Sequence, residues 1–157
     1  MKILALDMAT KTGWAILQDG HWFESGVQDF TKGRGESNGL MFLRFRNWIG
    51  KMMQDFGPFD LLAYEKAHFR GGAATEICVG LQTHAQGVAA EVQIECAPVA
   101  TMTLKKLSCG TGKADKPMMV VAASKLMSRP PIDDNEADAV LVGKWAWDQY
   151  GASGSGD

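Results

Sequence analysis

Residues 3–6, Ile-Leu-Ala-Leu, are apolar at every position and are followed at once by Asp7. An unbroken apolar run of this length marks a strand covered on both faces, since a strand with one wet face alternates. The run therefore predicts a short strand buried on both faces of a sheet. Asp7 is costly at its end: a carboxylate at the edge of a buried strand loses hydration that only a partner or a cation restores. The small polar run over 9–13 turns the chain, and residues 14–17, Trp-Ala-Ile-Leu, read as a second strand antiparallel to the first. Taken alone, Asp7 is explained as the residue that ends a strand and caps a turn. Two later acids in equally apolar company argue for more.

Asp19-Gly20 is a turn pair, and residues 21–27 mix aromatic and polar side chains as a third, partly exposed strand does, completing a meander. A loop rich in Gly, Ser and charge covers 31–38, and over 37–56 the apolar residues from Leu40 to Phe56 follow helical spacing until Gly57-Pro58 stops them. Residues 60–65, Asp-Leu-Leu-Ala-Tyr-Glu, form another buried strand that ends in an acid. A strand, a helix and a strand in this order make a parallel crossover, which sets Asp7 and Glu65 at the same edge of adjacent strands. Two carboxylates at that range repel, and a divalent cation between them is the usual remedy. A Glu65 paired with Lys66 is the simpler alternative, but it accounts for one acid of the two.

The loop over 66–72 is basic and ends in glycine, with Phe69 at its centre beside Arg70. An exposed aromatic between cations suits stacking on a base or wedging into a distorted duplex; a phenylalanine folded back on the core is the alternative. Residues 73–91 read as a second long helix whose Gly80, Ala85, Gly87, Ala89 and Ala90 permit close packing on the sheet or on a partner subunit, and 92–97 as an outer strand ended by Pro98. A short helix over 101–107 carries Lys105 and Lys106, and a glycine-rich run carries Lys113 and Lys116. These four lysines suit a phosphate backbone, with a solvated charge run as the competing explanation; the spacing is not that of a Walker loop. Asp115 caps a helix over 116–127. In the last helix, over 133–150, Asp134 and Asp138 share a face, and Asn135 lies three residues before Asp138. The helix dipole accounts for acids in the first turn but not for Asp138. Residues 151–157 read as a flexible tail after a single domain over 1–150.

A chain of 157 residues, 46% hydrophobic and 22% charged, suits one soluble globule. No window approaches the ~20 apolar residues of a membrane span and no apolar leader is present, so the expected compartment is the cytoplasm. Cys78, Cys96 and Cys109 lack metal-type spacing and suit a reducing compartment. The net charge of −2 excludes a globally basic nucleic-acid binder, leaving only a local basic surface for that role.

Asp7 followed by Thr12-Gly13-Trp14, Glu65 ahead of the Phe69 loop, the small-residue helix, the segment Gly110-Thr111-Gly112-Lys113-Ala114-Asp115-Lys116, and Glu136-Ala137-Asp138-Ala139 together resemble the RuvC-type Holliday junction resolvases of the ribonuclease H-like superfamily. The resemblance spans nearly the whole chain. It implies a mixed five-stranded sheet, an antiparallel three-strand meander plus parallel strands, with helices on both faces. It also implies a homodimer that cuts branched DNA such as a four-way junction, with Asp7, Glu65 and Asp138 as ligands of Mg²⁺ or Mn²⁺, and Phe69 at the place of an inserting aromatic. The family's fourth ligand falls one turn earlier on the last helix, where Asp134 and Asn135 both stand. Met8-Ala9 replaces the family's common Pro-Gly; such departures suit a divergent branch, a phage being one candidate source, with the host cytoplasm as its compartment. The chemistry expected is phosphodiester hydrolysis by two ions ~4 Å apart, bridged by Asp7, with Glu65 completing one site and Asp138 with Asp134 the other. Arg70, Lys105, Lys106, Lys113 and Lys116 would hold phosphates. The competing functions are a non-catalytic junction-binding module on the same fold and an ATP-binding protein of the actin-like or sugar-kinase kind, the latter needing a second lobe for which the chain has no room.

Overall fold

The computed structural model describes residues 1–68 and 71–151; the expectations for Phe69, Arg70 and the tail over 152–157 lie outside the described residues. In chain order the elements are β1 (Lys2–Asp7), β2 (Lys11–Gln18), β3 (His21–Asp29), α1 (Asn38–Phe56), β4 (Leu61–Glu65), α2 (Ala73–Glu91), β5 (Glu95–Val99), α3 (Thr101–Cys109), α4 (Lys116–Ser124) and α5 (Asp134–Tyr150). The five strands form one sheet in the order β3-β2-β1-β4-β5. β1, β2 and β3 make the antiparallel meander, while β4 lies parallel to β1 and β5 parallel to β4. This is the mixed α/β sheet of the ribonuclease H-like kind.

The apolar run opens the central strand, and its period of two divides the core. Ile3 and Ala5 join Leu61, Ala63 and Val99 under α3, α4 and α5, whereas Leu4, Leu6, Leu62 and Tyr64 face α1 and α2. Ile3, Leu4 and Leu6 are wholly buried, each worth about 1.5–3 kcal/mol of transfer free energy. On α1 the stripe Met41, Phe45, Ile49 and Met52 points inward, Ser37 caps the helix by accepting from the Leu40 N–H at 3.2 Å, and Gly57 ahead of Pro58 ends it. α5 lies flush on the other face because it is built of small residues there: a Cβ at Gly143 would come within 2.4 Å of Leu17 Cδ1.

Three boundaries shift by three residues from the sequence reading. β2 begins at Lys11, because Thr12 is buried with its hydroxyl donating to the Ala9 carbonyl at 2.7 Å, and Gly13 joins the ladder opposite Asp7. β5 starts at Glu95 and continues through Pro98. It is the last strand of the sheet, so a missing N–H on its outer side leaves no ladder partner unpaired. α4 ends at Ser124, short of residue 127.

Candidate metal centre

Asp7 is the last residue of β1 and Glu65 the last of β4, and these strands run parallel in a register that pairs Leu6 with Tyr64. Both acids therefore leave the sheet at one edge, side by side. α5 crosses that edge and brings in Asp138 from its second turn. The three half-buried side chains each place one carboxylate oxygen within 4.8 Å of the others. At that separation, and at an effective dielectric of ~20, each charged pair repels by about 3 kcal/mol or more.

The protonation of the acids records this crowding. Burial first, then the charges of Glu65 and Asp138, push the Asp7 carboxyl well above the usual carboxylate range. Burial, then Glu65 and Asp134, push Asp138 up to about 7, against the opposing charges of Lys116 and Lys105. Such a site lacks positive charge at its centre. The donors are all carboxylate oxygens, and the nearby Cys78 thiol is held protonated by burial and by the charge of Asp7. A hard divalent cation with oxygen preference fits this set; a thiophilic one does not.

The other expected residues divide. Asp134 lies outside the triplet, its Oδ2 3.1 Å from Lys116 Nζ, although its charge still reaches Asp138. Asn135 presents its backbone carbonyl to Gly13, where a Cβ would sit 1.9 Å from that oxygen. Gly13 is thus required by the close approach of the first turn of α5 to the strand opposite Asp7. Lys105 on α3 and Lys116 on α4 face the acids, since both lower Asp138. Lys106 closes α3, and Lys113 is exposed in the turn between the two helices.

Glu136, quoted only within the resemblance, is the main residue to which sequence reasoning gave no role. It is fully buried between Asp134 and Asp138, and its two oxygens accept from Arg129 at 2.6 and 3.3 Å, from Ser25 Oγ at 2.6 Å and from the Ile132 N–H. Burial alone would raise its pKa; the Arg129, Ile132 and Ser25 bonds outweigh it and hold the carboxyl below its ordinary range. The pair anchors β3 and the Pro130-Pro131 segment to the start of α5. Its one signal in the sequence was the spacing Asp133-x-x-Glu136 of a helix start, which the structure realises as the Glu136 N–H donating to Asp133 Oδ1 at 2.9 Å. A second unforeseen contact lies on the opposite side of the centre, where the Thr101 hydroxyl donates to Glu65 Oε1 and His68 Nε2 meets the same hydroxyl.

No protein-family model matches the chain. It is 29% identical over 148 residues to the crossover junction endodeoxyribonuclease RuvC of Pseudomonas fluorescens (strain Pf0-1), a match covering 89% of this chain and 83% of that protein. The RuvC structure from Thermus thermophilus superposes with a TM-score of 0.78 at 16% identity, over 96% of this chain and 97% of that one. T. thermophilus RuvC in complex with Holliday junction substrate gives a TM-score of 0.81, also at 16% identity, over 99% and 97%. At such identity these two likenesses concern the fold.

Proposed function

We propose that the chain is a divergent RuvC-type resolvase that hydrolyses phosphodiesters of branched DNA, four-way junctions foremost, in a crossover-junction manner dependent on Mg²⁺ or Mn²⁺. The observation that carries this reading is the convergence of Asp7, Glu65 and Asp138 from two strand ends and the last helix. Those three residues would hold the ions. Asp7 would serve both ions, Glu65 one and Asp138 the other, and Asp134 or Asn135 would add a fourth ligand, Asp134 on release from Lys116. Two bound ions would supply an activated water and charge stabilisation for the leaving oxygen.

The protein's own side chains do the rest. Lys105 and Lys116, already beside the acids, would meet the phosphates flanking the scissile bond, and Lys106 and Lys113 those further along the arm, with Phe69 and Arg70 assigned to the branch point. A four-way junction has two-fold symmetry and needs two cuts, which favours a homodimer with one centre per subunit. We assign it to the cytoplasm: the three cysteines are free, and no helix among the described residues is long and apolar enough to cross a membrane. The relatives lend no support to a phage source.

The test uses a labelled four-way junction with Mg²⁺. The wild type is expected to shift and cut it, and Asp7→Asn to shift it without cutting. Cutting by Asp7→Asn would remove Asp7 from its role, and a wild type that only shifts the junction would make the chain a binding module.

A further inference from the structure

Three carboxylates that repel one another have to be held together before a cation arrives. Glu65 is the one most able to leave, since it has one more rotatable side-chain bond than either aspartate. The Thr101 hydroxyl, at the first position of α3, donates to Glu65 Oε1, and His68 Nε2 contacts the same hydroxyl oxygen. A hydroxyl carries one proton. That proton goes to Glu65 Oε1, so His68 must supply an Nε2–H to the threonine oxygen. The direction of the relay follows: His68 donates to Thr101, and Thr101 donates to Glu65.

The backbone sets up this contact. β4 and β5 pair Glu65 with Val99, and the Lys66 N–H donates to the Val99 carbonyl at 2.9 Å, so α3 begins two residues later beside the Glu65 side chain. Among the described residues nothing else donates to the Glu65 carboxylate. We propose that Thr101, oriented by His68, is a positioning residue of the metal centre: it fixes the Glu65 carboxylate toward Asp7 and Asp138 and so raises the affinity of the site for its divalent cation. The proposal rests on the reading of the three acids as metal ligands. Hydrogen-bond partners that orient a ligand typically govern metal affinity by about 10–100-fold.

The experiment is calorimetric titration of Mn²⁺ into the full chain, beside junction binding without metal and cutting over a range of Mn²⁺. Thr101→Val is expected to weaken Mn²⁺ binding about 10-fold and to raise the Mn²⁺ needed for half-maximal cutting by the same factor. Its rate at saturating Mn²⁺ and its junction affinity stay near wild type. Thr101→Ala, which removes the same hydroxyl with less bulk, should match it; Thr101→Ser should restore wild-type affinity; His68→Ala should lose a smaller factor. Unchanged Mn²⁺ affinity in Thr101→Val and Thr101→Ala overturns the proposal, as does a serine variant as weak as the valine one. A wild type that binds no Mn²⁺ overturns both the proposal and the reading beneath it. Thr101-dependent Mn²⁺ binding in a protein that leaves junctions intact supports the proposal and overturns only the junction-nuclease reading.

Discussion

Glu136 and Asp138 stand two residues apart on one helix, yet their environments drive them in opposite directions. Glu136 is surrounded by donors and stays ionised; Asp138 is surrounded by acids and resists ionisation, its pKa pushed up to about 7. In the metal-free protein the folded state therefore keeps a proton on Asp138 that the unfolded chain has already released, and Asp7 acts in the same sense. Stability from Asp138 falls as pH rises from about 4 to about 7, and Asp7 adds to the fall above the ordinary aspartate range. Glu136 leaves this window undisturbed, because its contribution is present above the ordinary glutamate range and is lost only below it. The melting temperature of metal-free protein should thus be higher near pH 5 than near pH 7. Added Mn²⁺ should flatten the trend, and Asp138→Asn should raise the neutral-pH melting temperature while abolishing cutting. Differential scanning fluorimetry across this range checks all three, and a melting temperature that climbs with pH would mean that the acids do not crowd one another.

At the scale of elements, the site depends on how closely the first turns of α5 sit on β2 and β3. Gly13→Ala puts a methyl against the backbone carbonyl of Asn135, which cannot swing aside as a flexible side chain would. We expect a loss of about 1–3 kcal/mol in urea unfolding, together with weaker Mn²⁺ binding, because Asp138 moves with its helix. Glu136→Gln leaves Arg129 without its counter-ion. The cost should be about 3 kcal/mol, the low end for a broken buried pair, since Arg129 itself reaches solvent, and adding Arg129→Met should recover part of it. Much of this architecture was legible in advance: two apolar strands that each end in an acid defined the sheet centre, and helical spacing located the α1 and α5 layers. Less legible was whatever depended on pairing across distance. Thr12 and Gly13 look like turn residues until α5 is laid over them, and Glu136 looks like a solvated helix-start acid until Ser25 and Arg129 close on it. Asp134, equal to Asn135 on spacing, is drawn off by Lys116, a choice that no local pattern encodes.

Over the whole molecule the net charge is −2, so a nucleic-acid contact depends on local clusters of basic residues. The acids converge at one sheet edge, and Lys105 and Lys116 stand beside them. If these lysines with Lys106 and Lys113 neutralise phosphates, changing all four to Gln should weaken junction binding for every sequence alike. It should also flatten the plot of log affinity against log salt by up to ~0.9 for each phosphate left without its lysine. Fluorescence anisotropy at several salt concentrations measures this; an unchanged slope would move the DNA to another face. The order in which the three acids occur along the chain has a further effect. Two of them are in place once β4 has paired with β1, but the third arrives only with α5, the last described helix. A ribosome carrying this chain half-made therefore displays the sheet edge without the Asp138 carboxylate, and if the three acids hold the metal, cutting waits until α5 has been translated and docked.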